Sequence, residues 1–251
     1  MYYYIYDNFV SERKYSKTIA QIEARLTDLG INGKITKMSI LKNLKKTINE
    51  EISHGVKTLV IVGNDKTLSQ TLNLLDDLDI TIGFIPIGPN NNLAKLLGIK
   101  EGETACDILS SRIITKLNLG LINDLVYFIT YLELPGDDIY INCNDDFYIN
   151  TEGKNNIIII SNIYFGEDEE KLKIKNNDNF FNLVIKNQEK SLFKAKKVTY
   201  SYFKAEKINI NSEKSVPILM IDEKRILKTP INLKLLKNKL NIIVGKNRIL
   251  K

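Results

Sequence analysis

Two short polar stretches hold the residues of this chain best suited to handling phosphate. The first is Gly63-Asn64-Asp65-Lys66-Thr67; the second is Pro86-Ile87-Gly88-Pro89-Asn90-Asn91-Asn92-Leu93-Ala94. Each closes an apolar run (residues 59–62 and 82–87) and opens a helical pattern. In an open parallel sheet such loops lie at the carboxyl ends of the strands, where ligands bind. Backbone N–H groups at a helix start, with the helix dipole behind them, suit a phosphate. These residues predict a phosphate-handling α/β domain.

The elements that must position the two loops follow from periodicity. Residues 2–6 are aromatic and β-branched, a strand. Tyr15, Ile19, Ile22, Leu26 and Leu29 share one helix face, which Gly30 ends. Residues 34–38 read as a second strand, and Ser39 as the cap of a helix facing inward with Leu41, Leu44, Ile48 and Ile52. His54, the single histidine, falls in the last turn of that helix, on the side away from the loops. Leu68, Leu72 and Leu75 face inward after the first loop, and Asp76, Asp77 and Asp79 read as a solvated acidic turn. A short helix over 104–110 closes the section. Strands alternating with helices predict a doubly wound, mainly parallel α/β domain over residues 1–111.

From about residue 112 the texture changes to short alternating runs separated by Gly and Asn/Asp turns, among them 113–119, 125–134, 156–164 and 240–244. They predict an antiparallel β-sandwich-like domain over residues 112–251. Asn/Lys-rich pieces around 166–178 and 186–190 read as exposed loops.

With 251 residues the chain can bury a substantial core. Hydrophobic residues at 43% and charged residues at 26% are ordinary for a globular protein. The net charge of +6 is spread over both halves, so it reads as compositional and not as a binding patch. No aromatic, basic platform speaks for nucleic acid. The start lacks a basic segment before its short apolar run, so no signal peptide is expected, and no run is long enough to span a membrane. Cys106 and Cys143, far apart and outside any CxxC spacing, are expected as buried free thiols in a reducing cytoplasm.

The two motifs, in this order and context, resemble those of the diacylglycerol kinase catalytic-domain family, which includes bacterial lipid kinases and sphingosine kinases and has a fold akin to NAD kinases. Gly63–Thr67 stands where the family has GGDGT. Residues 86–94 stand where it has P-x-G-T-x-N-D-x-A, and Leu97-Gly98-Ile99 matches its LGI. NAD kinases share the first motif but not the second. Residues 113–120 resemble the family's entry into its β domain, and 217–223 the strand bearing its D-G-E motif. The chain departs from the pattern at Asn64 and Lys66 (Gly in the family), Pro89 (Thr), Asn92 (an acid) and Lys224 (the final acid). Asn177-Asp178-Asn179-Phe180 is the nearest match to its DGxL segment.

The resemblance implies ATP and Mg²⁺ as cofactors and phosphoryl transfer to a lipid hydroxyl, with the protein cytoplasmic or peripheral at a membrane surface. A homodimer stays open. Asp65 is the candidate for organising the metal, with capping of the following helix as its structural alternative. Gly63, Asn64, Lys66, Thr67, Gly88, Asn90 and Asn91 are the candidates for nucleotide contact. Asp222 and Glu223 are candidate general bases, with an exposed hairpin as the alternative. The departures keep a second expectation in play: a catalytically impaired relative that binds a nucleotide or phospholipid, or acts through protein interaction.

Overall fold

The computed structural model describes residues 1–38, 43–152, 155–166, 172, 174–189 and 197–250. Contacts divide the chain into two units, residues 1–117 with 238–251, and residues 118–237.

The first unit is built on strands β1 (Tyr2–Tyr6), β2 (Lys34–Lys37), β3 (Thr58–Gly63) and β4 (Thr81–Pro86). They are ordered β2-β1-β3-β4 and pair in parallel. Helices α1 (Ser16–Asp28), α2 (Leu44–Ser53) and α3 (Asp65–Leu72) connect them, and α4 (Asn92–Leu96) and α5 (Thr104–Ser111) follow β4. Every residue of β3 is buried, as expected of an unbroken apolar strand covered on both faces. The chain crosses from β1 to β2 on one side and returns to β3 on the other. The carboxyl ends of β1 and β3 thus form the switch point at which open α/β sheets bind ligands.

The helix faces follow the apolar periodicity. Ile22 and Leu26 are buried on α1, Leu44 and Ile48 on α2, and Leu68 and Leu72 on α3. Asn43 caps α2 by accepting from Lys46 N at 3.2 Å; the expected Ser39 cap and Leu41 lie outside the described residues. Asp76 and Asp77 pair with Lys45 (2.9 Å) and Lys239 (3.8 Å), so the acidic turn is a solvated surface. Among the described residues no cluster of His, Cys, Asp and Glu could hold a metal ion.

The second unit is antiparallel. One sheet runs β12 (Lys197–Ala205), β11 (Phe181–Glu189), β10 (Asn156–Ser161), β7 (Tyr131–Pro135), β14 (Pro217–Met220), β15 (Arg225–Lys228). Facing it are β8 (Ile139–Cys143), β9 (Phe147–Thr151), β13 (Lys207–Ser212) and the first part of β16 (Ile231–Ile243). Inward residues of both layers, among them Leu132, Ile141, Ile160, Leu183, Ile208 and Leu233, make one buried core. The sandwich-like expectation is borne out. Phe128 on β6 (Val126–Phe128) stacks on Phe181 at 5.7 Å. Phe128 lies opposite Gly120 of β5 (Ile114–Ile122), where a Cβ would collide with its ring.

Three local expectations differ from what is observed. Residues 186–189 are not a loop: β11 continues through them, pairing Lys186 with Tyr200 and Asn187 with Thr199. A polar stretch tolerates a strand when its ladder is completed by a neighbour. The apolar run 125–134 is two strands, interrupted at Ile129-Thr130. The end of the chain does not group with the β-rich unit, because the last part of β16 pairs in parallel with β4 (Asn241 with Thr81, Ile242 with Ile82). Both cysteines are buried and free, and burial pushes each thiol up to about 11.

Candidate functional site

The first loop is organised by Thr67. Its N–H donates to Asn64 Oδ1 (3.2 Å) and its Oγ1 accepts from Asn64 N (3.0 Å), a reciprocal cap on α3. The Thr67 hydroxyl proton goes to Asp7 Oδ2 at 2.6 Å, tying this loop to the end of β1. Thr67 is fully buried, so its hydroxyl serves the fold and is not presented to a ligand. Gly63 is required because a Cβ there would collide with the Thr67 side chain. Asn64 has extended backbone (φ −122°, ψ −176°), so its substitution for glycine costs no left-handed strain.

Asp65 is the first residue of α3 and not its cap. Its Oδ2 accepts from Leu93 N at 2.9 Å, in the first turn of α4, and its N–H donates to Asn90 O at 3.2 Å. Ile87 N donates to Gly63 O at 2.7 Å. The two motif loops are therefore bonded to each other, with Asp65 and Asn91 on the same rim. Asn91, the residue before α4, makes no side-chain cap; the Asp65 carboxylate takes that place. Asn91 Nδ2 donates instead to Gly88 O (2.7 Å) and Glu101 Oε1 (3.1 Å).

The second loop turns through left-handed backbone at Gly88 (φ +77°) and Asn90 (φ +67°). A Cβ on Gly88 would meet Tyr15 Oη at 3.0 Å and the Phe9 ring at 3.1 Å, so the loop packs closely on the segment after β1. Lys66, Pro89, Asn90 and Asn92 are exposed. Lys66 therefore fills no space inside the loop and offers an ammonium at its surface.

The two candidate bases differ. Asp222 is buried, and its carboxylate accepts from Ile129 N (2.5 Å), Thr130 N (3.1 Å) and the Thr130 hydroxyl. Burial pushes its carboxyl up to about 6, against the opposing effect of those hydrogen bonds. The exposed-hairpin alternative is thus corrected for Asp222: it fastens the turn between β14 and β15 to the break between β6 and β7. Glu223 is half-buried in that four-residue turn, where strand alternation no longer dictates its direction.

Sequence reasoning missed Asp7 and Glu101, which hold Thr67 and Asn91. Asp7 directly follows β1, at the same carboxyl end of the sheet as the two loops, a signal that was there to be read. Glu101 carries none, because its partner lies on the far side of α4 in sequence.

Residues 2–122 match the model of the diacylglycerol kinase catalytic domain. The resemblance to that family holds. The matched stretch takes in both phosphate-type loops and Asp65, and ends before Asp222 and Glu223. "Putative lipid kinase YtlR" of Bacillus subtilis (strain 168) is 28% identical over 108 residues. That match covers 39% of this chain and only 35% of the relative's length. A solved diacylglycerol kinase from Bacillus anthracis str. Sterne has a TM-score of 0.76 at 16% identity, over 98% of this chain and 97% of that one. Another structure from that strain, described as "a putative diacylglycerol kinase", reaches 0.79 at 14% identity over 98% and 97%. At these identities the likeness speaks to the diacylglycerol kinase fold. No helix among the described residues is long and apolar enough to cross a membrane.

Proposed function

We propose that this chain is an ATP-dependent lipid kinase acting at a membrane surface, transferring the γ-phosphoryl group to the hydroxyl of diacylglycerol or a similar lipid. The observation that carries the reading is the bonding of one motif loop to the other through Asp65, which brings both to one rim at the carboxyl ends of β3 and β4. Loop backbone around Gly88, Asn90 and Asn91 cradles the nucleotide phosphates, and Lys66 adds a point charge.

Asp65 is the sole carboxylate in the two loops. It is the residue of the two loops that would hold a Mg²⁺ ion, which binds through few protein carboxylates. When bound, the ion would neutralise charge on the phosphate oxygens. In the transfer, the lipid oxygen forms a bond to the γ-phosphorus, the bond to the β–γ bridging oxygen breaks, and ADP leaves. The hydroxyl proton passes to a general base, a part Asp222 does not play because its carboxylate is committed to the Ile129-Thr130 backbone.

The test is transfer of radiolabelled γ-phosphate to a panel of lipids in mixed micelles. Wild type should label a lipid, and Asp65→Asn, which keeps the shape of the side chain, should fall to background. Lys66→Ala should raise KM for ATP with little change in kcat. Equal background from wild type and Asp65→Asn overturns the reading, with thermal unfolding confirming that the variant is folded.

A further inference from the structure

The LGI motif is explained by a contact the kinase reading does not use. Gly98 has φ +68°, and a Cβ on it would lie 2.7 Å from Arg248 N; a Cβ on Gly245 would collide with Gly98 O. The end of the chain is laid directly on the end of α4, with Gly245 N donating to Leu97 O (2.9 Å) and Ile249 N to Leu96 O (2.9 Å). This backbone seam walls a cavity of about 750 Å³, whose opposite side is one face of α5: Thr104, Asp107, Ile108 and Ser111. The volume is in the range of small-ligand sites.

The charges around the cavity are unequal in availability. Asp107 is paired with Arg25 at 2.5 Å, and one Glu101 oxygen accepts from Asn91. Lys95, Lys100 and Lys246 also line the cavity, and among the described residues none of them forms an ion pair. Asn91, only 3% exposed, lines it too. Its Nδ2 is committed to two acceptors, which fixes the amide orientation, and its Oδ1 is buried with no donor. A buried acceptor without a donor costs about 1–3 kcal/mol until one is supplied. The cavity thus presents ammonium groups for an anion and a carbonyl oxygen for an O–H or N–H.

We propose that this cavity is a binding site for a phosphate monoester that also carries a hydroxyl. The phosphate sits among Lys95, Lys100 and Lys246, and the hydroxyl donates to Asn91 Oδ1. The site requires no phosphoryl transfer; it shares Asn91 alone with the kinase reading, which draws on the loop backbone there and not on the side-chain carbonyl.

The test is calorimetric titration of the full chain with two probes of this chemistry: glycerol 3-phosphate in solution, and lysophosphatidic acid in phosphatidylcholine vesicles. Saturable binding of at least one is expected, and which one binds tells whether the phosphate is free or lipid-borne. The Lys100→Ala/Lys246→Ala variant, altered at exposed residues only, should bind that probe at least about tenfold more weakly, the size of one lost charge-assisted hydrogen bond. Equal affinity in variant and wild type, or no saturable binding of either probe to wild type, overturns the proposal.

Discussion

Asp65 and Asp222 are both buried acids at motif positions, and each accepts backbone N–H groups from a distant stretch. Asp65 reaches into the first turn of α4, and beside it stand the exposed Lys66 and the left-handed Asn90. Asp222 accepts from two amides and a hydroxyl of Ile129-Thr130. The bonds of Asp65 to Leu93 and Asn90 join two loops at the carboxyl ends of β3 and β4; those of Asp222 to Ile129 and Thr130 fasten one turn to one strand break. An acid in a motif is available for chemistry only as far as its own fold leaves it uncommitted.

The contrast breaks most visibly in stability. Asp222→Ala strands two buried amides and a hydroxyl, and should destabilise the protein by about 3 kcal/mol in urea unfolding. A loss under about 1 kcal/mol would mean the turn holds without its acid. The same carboxylate makes stability depend on pH. Its folded pKa, about 6, lies above that of an unfolded aspartate, so the native state binds the proton more tightly. Its contribution is therefore most favourable in acid, falls as pH rises from about 4 to about 6, and is level above that. Asp222→Asn should flatten this slope; an unchanged slope would place the titration elsewhere.

Asp65→Ala should cost less, about 2 kcal/mol, because the two loops stay joined by backbone bonds from Asp65 N to Asn90 O and from Ile87 N to Gly63 O. The effect should be local as well: hydrogen exchange at the Leu93 amide should accelerate more than exchange in β3. A destabilisation exceeding that of Asp222→Ala would reverse the comparison and make Asp65 the more structural of the pair.

The fold was legible because it rests on short-range patterns. The apolar run of β3, the inward faces of α1 and α3, and the turn-separated strands after residue 112 are written in neighbouring residues. The site was legible only in part. A capping rule assigns Asp65 to the helix it begins, whereas its carboxylate spans to Leu93, and Asn64 and Thr67 had already closed that helix. Asp222, within a run of charged residues, reads as solvent-facing; a partner 92 positions away in sequence buries it. The end of the chain carried no mark that β16 would pair with β4, since parallel pairing follows from tertiary placement and not from local alternation.

The smallest effect sharpens the comparison at the loop's substituted glycine. Asn64 caps α3 through Thr67 N, so Asn64→Ala should cost about 1 kcal/mol. Asn64→Gly should cost only a few tenths, since glycine is an acceptable cap and loses no left-handed conformation here. Thermal unfolding of the two variants separates a cap from a strained backbone. If Asn64 were strained, glycine would stabilise the protein; if its side chain is the cap, as the extended φ and ψ and the reciprocal bonds to Thr67 require, both variants lose stability and alanine loses more. The Asn at this motif position is then a gain in helix capping, made at a residue where the glycine's conformational freedom was not in use.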